Sequence, residues 1–273
     1  MDHERADDGE TRTDGGTSGE QATATAHGDT GTTADDTEPA DDDTQTAVGD
    51  TEVAPDGACT AVLFDMDGVI VDSKRYWHTE QPERIFPATL AGEYPDLDET
   101  TGMNYREIYD YLETNYEPKI SKAEYLEVFD AVAREIYTDR VSLLEGFQPL
   151  VDDLRAHGLP VAIVTSAPPS WHGIVTERFD IRVDEAISAE DIDAPGKPAP
   201  HIYEHAAAVV GRDPARCLVV EDSKNGVEAA ARAGTTVIAY RTGPNSETDL
   251  SAADVVVESA DALHREIRSR VGI

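Results

Sequence analysis

The first dense cluster of apolar positions is "AVLF" at residues 61–64, and the 58 residues before it carry almost no large apolar side chains. A short apolar run closed by polar residues reads as a strand buried on both faces. Similar runs, rich in Val and Ile, recur at "LPVAIVTS" (159–166), "DEAISAE" (184–190), "RCLVVED" (216–222), "TTVIAY" (235–240) and "ADVVVES" (253–259). Between them lie helical patterns, "FQPLVDDLRAHG" (147–158), "APHIYEHAAAVVG" (199–211) and "NGVEAAARAG" (225–234), each closed by a glycine in the C-cap position. Strands alternating with helices predict an α/β fold, a Rossmann-like parallel sheet covered by helices on both faces.

Residues 73–140 break the alternation. They show little strand pattern and two amphipathic helices. One runs from Asn104 to Tyr116, with Tyr105, Ile108, Tyr109 and Leu112 at helical spacing; the other runs from Ser121 to Asp139, where Ser121 and Glu124 form a capping box. An insert leaving behind the first strand lies over the carboxyl ends of the strands, where open sheets bind ligands. The expected division is therefore an acidic disordered tail over 1–58, a core domain from 59–72 and 141–273, and an α-helical cap domain over 73–140. The tail lacks the apolar residues needed to offset the entropy of folding.

Charge narrows the function. The chain of 273 residues has 56 acids against 22 bases, a net charge of -34. Residues 1–59 carry -15 of this and the remaining residues -19, so the folded part is itself strongly acidic. Such a surface repels nucleic acid and anionic membrane, whose binding normally needs clustered Lys and Arg. There is no apolar stretch long enough to span a bilayer and no secretory signal pattern. Cys59 and Cys217 sit in or beside apolar runs, as buried thiols of a reducing compartment do. A cytoplasmic location is the expectation. Only five of the bases are lysine. This balance resembles that of proteins from halophilic archaea, in whose salt the Debye length falls to roughly 3 Å or less.

Several predicted strands end in polar residues. The first ends in Asp65 and Asp67, "VAIVTS" in Thr165 and Ser166, and "RCLVVED" in Glu221 and Asp222; the loop "DAPGKPAP" adds Lys197. In a parallel sheet these ends share one edge, so four distant clusters converge. Their chemistry points to phosphoryl transfer. A carboxylate attacks phosphorus, a second acid moves protons, and a hydroxyl and an ammonium hold phosphoryl oxygens. Several carboxylates together suit Mg²⁺, a hard cation.

At these motifs the chain resembles the haloacid dehalogenase-like superfamily, in the subgroup whose helical cap follows the first motif. "DMDGVIVDS" is similar to the family's first motif, "VTS" to its second, "GKPAP" to its third and "VVEDSKNGVEAAARAG" to its fourth. The resemblance implies Asp65 as nucleophile, Asp67 as acid/base, Thr165 on the phosphate, and Lys197 steadying both nucleophile and phosphate. It implies a Mg²⁺ site at Asp65, Glu221, Asp222 and the backbone carbonyl of Asp67. Two departures stand out: His201 follows the third motif where relatives often have Asp, and Ser166 replaces a common Asn. In the cap, Trp77, His78, Arg84 and Arg106 are candidates to face a substrate, while Trp171 and His172 read as helix packing or surface.

The expected function is a Mg²⁺-dependent phosphatase acting on a small phosphorylated metabolite through an aspartyl-phosphate. The alternatives are a sugar-phosphate mutase of the beta-phosphoglucomutase type and a non-catalytic module binding a phospho-ligand or a protein. A dehalogenase does not fit, because that branch needs neither the second acid nor the metal, and here Asp67 and the Glu221–Asp222 pair are present.

The charge yields a test. Self-repulsion lengthens in range as salt falls, so circular dichroism and activity followed from about 3 M to about 0.1 M KCl should show unfolding or inactivation on dilution. Equal structure and rate at both ends would remove the halophilic reading.

Overall fold

The computed structural model describes residues 58–101 and 103–273. The disordered tail expected over 1–58 therefore lies, but for Ala58, outside the described residues. The elements in chain order begin with β1 (Ala61–Phe64), α1 (Lys74–Glu80), α2 (Phe86–Thr89), α3 (Leu97–Thr100), α4 (Tyr105–Asn115) and α5 (Lys122–Glu135). Next come α6 (Phe147–Ala156), β2 (Val161–Thr165), α7 (Pro169–Arg178), β3 (Glu185–Ser188) and α8 (His201–Val209). The chain closes with β4 (Cys217–Glu221), α9 (Lys224–Arg232), β5 (Thr236–Tyr240), β6 (Val255–Val257) and α10 (Ala260–Val271).

The six strands form one parallel sheet in the order β3-β2-β1-β4-β5-β6. Alternate residues divide between its faces. Val62, Phe64, Ile163, Leu218 and Val220 pack with α6 and α10 on one side; Leu63, Val164, Val219 and Val237 pack with α8 and α9 on the other. Both faces are dry, which is why the strands read as unbroken apolar runs. The chain moves outward from β1 through β2 to β3, then returns to the other side of β1 as β4. The carboxyl ends of β1 and β4 thus meet at the switch point of the sheet, where a crevice opens.

Between β1 and β2 the chain is helical. Asn104 caps α4, accepting from the Arg106 amide, and Ser121 caps α5, accepting from the Glu124 amide. Tyr105, Ile108, Tyr109 and Leu112 are all buried, as the helical spacing predicts. Two π-helical turns, Gln81–Ile85 and Ile136–Arg140, extend α1 and α5. The segments entering and leaving this insert run side by side. Val71 bridges Leu143, the Asp72 amide donates to the Ser142 carbonyl at 3.2 Å, and the Ser142 amide returns a bond to Asp72 Oδ1 at 2.6 Å.

Aromatic rings join the insert to the sheet domain. Phe129 of α5 stacks on Trp77 at 4.9 Å and on Trp171 of α7 at 5.7 Å, and Tyr105 lies 4.7 Å from Trp171. The Trp171 indole N–H also donates to Asp130 at 2.7 Å. Among the described residues, no helix is long and apolar enough to cross a membrane.

Phe129 is central to this packing. Phe129→Ala should cost about 3–5 kcal/mol, the usual penalty for emptying a buried aromatic position. Urea denaturation at constant high KCl would measure it; a loss below about 1 kcal/mol would show that the ring cluster does not hold the two parts together.

Candidate active site

The switch point gathers the polar strand ends. Asp65 follows the last residue of β1, Glu221 ends β4 and Asp222 follows it, and Lys197 enters from the loop before α8. All four are buried. Carboxylate oxygens of Asp65, Glu221 and Asp222 lie within 4.8 Å of one another. Like charges at that spacing in a dry site repel strongly, so their compensation is the first question.

Lys197 supplies part of the answer. Its ammonium donates to Asp65 Oδ1 at 2.7 Å and to Glu221 Oε1 at 2.6 Å. Burial works against its charge, but Asp65 and Glu221 outweigh burial and hold the lysine well above its ordinary pKa. Lys74 supplies the rest from the first turn of α1. It donates to Asp222 Oδ2 at 3.0 Å and to the Asp222 carbonyl at 3.2 Å. Burial still pushes Asp222 up to about 6, against the pull of Lys74. Burial, then the charge of Glu221, raises Asp65 well above the usual carboxylate range.

Glu221 is the most completely bonded of the set. Oε1 accepts from Lys197 and from the Tyr203 hydroxyl at 2.8 Å. Oε2 accepts from the amides of Asp222 and Ser223 and from the Ser223 hydroxyl. Five donors meet a group with about four lone-pair sites. Glu221 also offers an oxygen to the same group of carboxylates as Asp65 and Asp222, a set that could hold a cation, and its bonds fix Lys197 and the β4–α9 turn.

Asp67 stands apart from that cluster. Its Oδ1 accepts from the Ser73 hydroxyl at 2.5 Å and from the Tyr137 hydroxyl at 2.7 Å. Burial raises its pKa, while these two bonds act in the opposite direction. Thr165, at the end of β2, is buried and accepts from the Ala167 amide at 3.1 Å.

Asp65, Asp67, Lys74, Thr165, Lys197 and Asp222 all line one cleft between the sheet edge and the helical insert. Of the insert residues singled out from sequence, Trp77 and His78 line the cleft. Arg84 instead pairs with Glu80 and Glu135, and Arg106 with Glu190. Trp171 packs as expected but also reaches the cleft, and His201 is the exposed start of α8. Sequence reading missed Lys74, Ser73, Tyr137 and Tyr203. One signal was present for Lys74: in a chain with five lysines, one standing seven residues after Asp67 invites a role.

A buried carboxylate sheet edge with an ammonium at its centre, beneath a helical insert, is the architecture of a phosphotransferase-type hydrolase. Residues 59–234 match the family model described as haloacid dehalogenase-like hydrolase, and the chain belongs to that family. Hexitol phosphatase B of Escherichia coli (strain K12) is 30% identical over 214 residues, covering 74% of this chain and 93% of that one. The bifunctional riboflavin kinase/FMN phosphatase of Arabidopsis thaliana is 36% identical over 128 residues; the match covers 44% of this chain and spans only 32% of that protein's length. Among solved structures, CbbY from Rhodobacter sphaeroides in complex with phosphate superposes with a TM-score of 0.64 at 20% identity, covering 75% of this chain and 96% of that one. At that identity the likeness is one of fold.

Two glycines make room for the carboxylates. Gly68 has φ +85°, and a Cβ there would meet Asp222 Oδ2 at 2.0 Å. Gly226, in the first turn of α9, would place a Cβ 1.8 Å from Glu221 Oε1. Replacing a helical glycine by alanine normally gains roughly 0.5–1 kcal/mol. Here the sign should reverse: Gly226→Ala displaces a buried, fully bonded carboxylate and should destabilise by more than about 2 kcal/mol. Chemical denaturation would read the sign directly.

Proposed function

We propose that the protein is a Mg²⁺-dependent phosphatase that hydrolyses a small phosphorylated metabolite through an aspartyl-phosphate on Asp65. The observation that carries this reading is the pairing at the floor of the cleft: Asp65 held by Lys197 at 2.7 Å, with Asp67 two residues away on separate partners. The relatives named as phosphatases support the same class. The mutase alternative draws on a likeness of fold, beta-phosphoglucomutase from Clostridium difficile superposing with a TM-score of 0.64 at 22% identity, whereas the relatives named as phosphatases match in sequence.

The donor set fits a divalent cation. Four acids, Asp65, Asp67, Glu221 and Asp222, meet two lysines, so acidic groups outnumber the ammonium groups there. Asp65, Glu221 and Asp222 would hold the ion, assisted by the Asp67 carbonyl that the family resemblance implies; Glu221 would also steady Lys197. When bound, Mg²⁺ neutralises charge on the phosphoryl oxygens.

The protein groups divide the chemistry. An Asp65 oxygen attacks phosphorus, and the P–O bond to the alcohol breaks. Asp67, whose pKa burial raises, gives its proton to the departing oxygen. Water then attacks the same phosphorus and passes a proton to Asp67, which frees inorganic phosphate and restores Asp65. Lys197 balances the charge on Asp65 and the phosphoryl group, and Thr165 holds a phosphoryl oxygen. The helices between residues 73 and 140 act as the cap that excludes water. The acidity of the chain and its two buried free cysteines support an intracellular, high-salt setting.

Two substitutions test the assignment. Asp65→Asn should abolish turnover and the trapped phosphoenzyme. Asp67→Asn should slow turnover by about 10²–10⁴-fold. With an activated aryl phosphate the second variant should still form a phosphoenzyme and lose it slowly. Rapid-quench mass spectrometry of the peptide spanning 61–73 locates the group; phosphate on any other residue would overturn the mechanism.

A further inference from the structure

The outer wall of the cleft is built differently from its floor. Trp77, Tyr105, Ile108, Phe129 and Trp171 form an aromatic and apolar surface around it. Its polar groups are mostly uncharged: Gln81, Thr100, Thr101 and Ser166 line the same wall, and the Thr100 hydroxyl donates to Gln81 Oε1 at 3.1 Å. Among the described lining residues there is no arginine. Both lysines are committed to floor carboxylates, Lys74 at 3.0 Å from Asp222 and Lys197 at 2.7 Å from Asp65. Arg75, Arg84 and Arg106, cap cations close in sequence to lining residues, are engaged by Asp72, by Glu80 and Glu135, and by Glu190. His78 reaches the wall, but one imidazole does not offer the paired donors that a phosphate dianion prefers.

We propose that this wall selects phosphate monoesters of uncharged, hydroxyl-bearing alcohols and discriminates against esters carrying a second phosphate or a carboxylate. The proposal rests on the phosphatase reading and names its substrate class. A second anion would give up its water to face aromatic rings with no countercharge. The floor offers no free cation either, since its two lysines are both paired with the acids that outnumber them. The net -19 of residues 60–273 adds to the repulsion. An uncharged sugar, polyol or nucleoside instead lays its C–H or ring face on the aromatic wall and directs hydroxyls to Gln81 and the threonines.

The test is a comparison of kcat/KM in high KCl with Mg²⁺, using the full chain. One arm holds sugar and polyol monophosphates such as ribose 5-phosphate and sorbitol 6-phosphate, a second holds uridine 5′-monophosphate, and a third holds phosphoglycolate and ribulose 1,5-bisphosphate. p-Nitrophenyl phosphate is the control for the chemistry itself. The best uncharged alcohol should exceed both anionic esters by at least about a hundredfold. Whichever of the first two arms leads then identifies the source of the alcohol. A smaller ratio, with p-nitrophenyl phosphate hydrolysed and Asp65 phosphorylated, overturns the proposal and leaves the phosphatase reading standing. No hydrolysis of p-nitrophenyl phosphate and no phosphoenzyme would sink the reading beneath it, and this proposal with it.

Discussion

Burying several carboxylates at one point of a sheet is the constraint around which this protein is arranged. Asp65, Glu221 and Asp222 cannot all be charged in a dry site without partners. Removing one member of a buried ion pair typically costs about 3–5 kcal/mol, because the remaining charge is left uncompensated. Lys197 bridges two of the acids, Lys74 holds the third, and Ser223, Tyr203 and two amides complete Glu221. The glycines at 68 and 226 follow from the same requirement, since any side chain there would occupy the space of a carboxylate.

The helical insert takes part in that balance. Lys74 lies in its first helix and Tyr137 in its last turn, and they bind Asp222 and Asp67 respectively. Ser73, at the point where the insert begins, binds Asp67 as well. Further contacts tie the insert to the loops at the sheet edge. Glu107 accepts from the Gly196 amide beside Lys197, Asn104 donates to the Ser166 carbonyl, and Asn225 donates to the Thr101 carbonyl. A movement of the insert would therefore alter the partners of two acids at once.

The sheet was legible because strands buried on both faces leave continuous apolar runs. "AVLF" coincides with β1, and the capping pattern at Ser121 marks the start of α5. Three of the polar clusters were legible as strand ends and the fourth, around Lys197, as a Gly/Pro loop, and the fold brings all four to one edge of the sheet. Lys74 and Tyr137 were not, because their partners lie 148 and 70 residues away and no local period marks such a contact. The π-helical turn that carries Tyr137 is equally silent, since a reading at 3.6 residues per turn simply continues through it. Glu221 adds a second part to its motif: besides standing with Asp65 and Asp222, it accepts from Lys197 and Tyr203, contacts that no local pattern marks.

The paired entry and exit segments at Val71–Leu143 have a consequence for how such a chain diversifies. They close the insert at its base, so the sheet domain meets it as a surface loop whose two ends are already neighbours. Lengthening a loop whose ends are fixed adds only about 0.6 kcal/mol per doubling. Selection is then free to enlarge, shorten or reshape the helices above Asp72 and Ser142 at little cost to the sheet below. The three side chains Ser73, Lys74 and Tyr137, all close to that base, are what any replacement insert would have to reproduce.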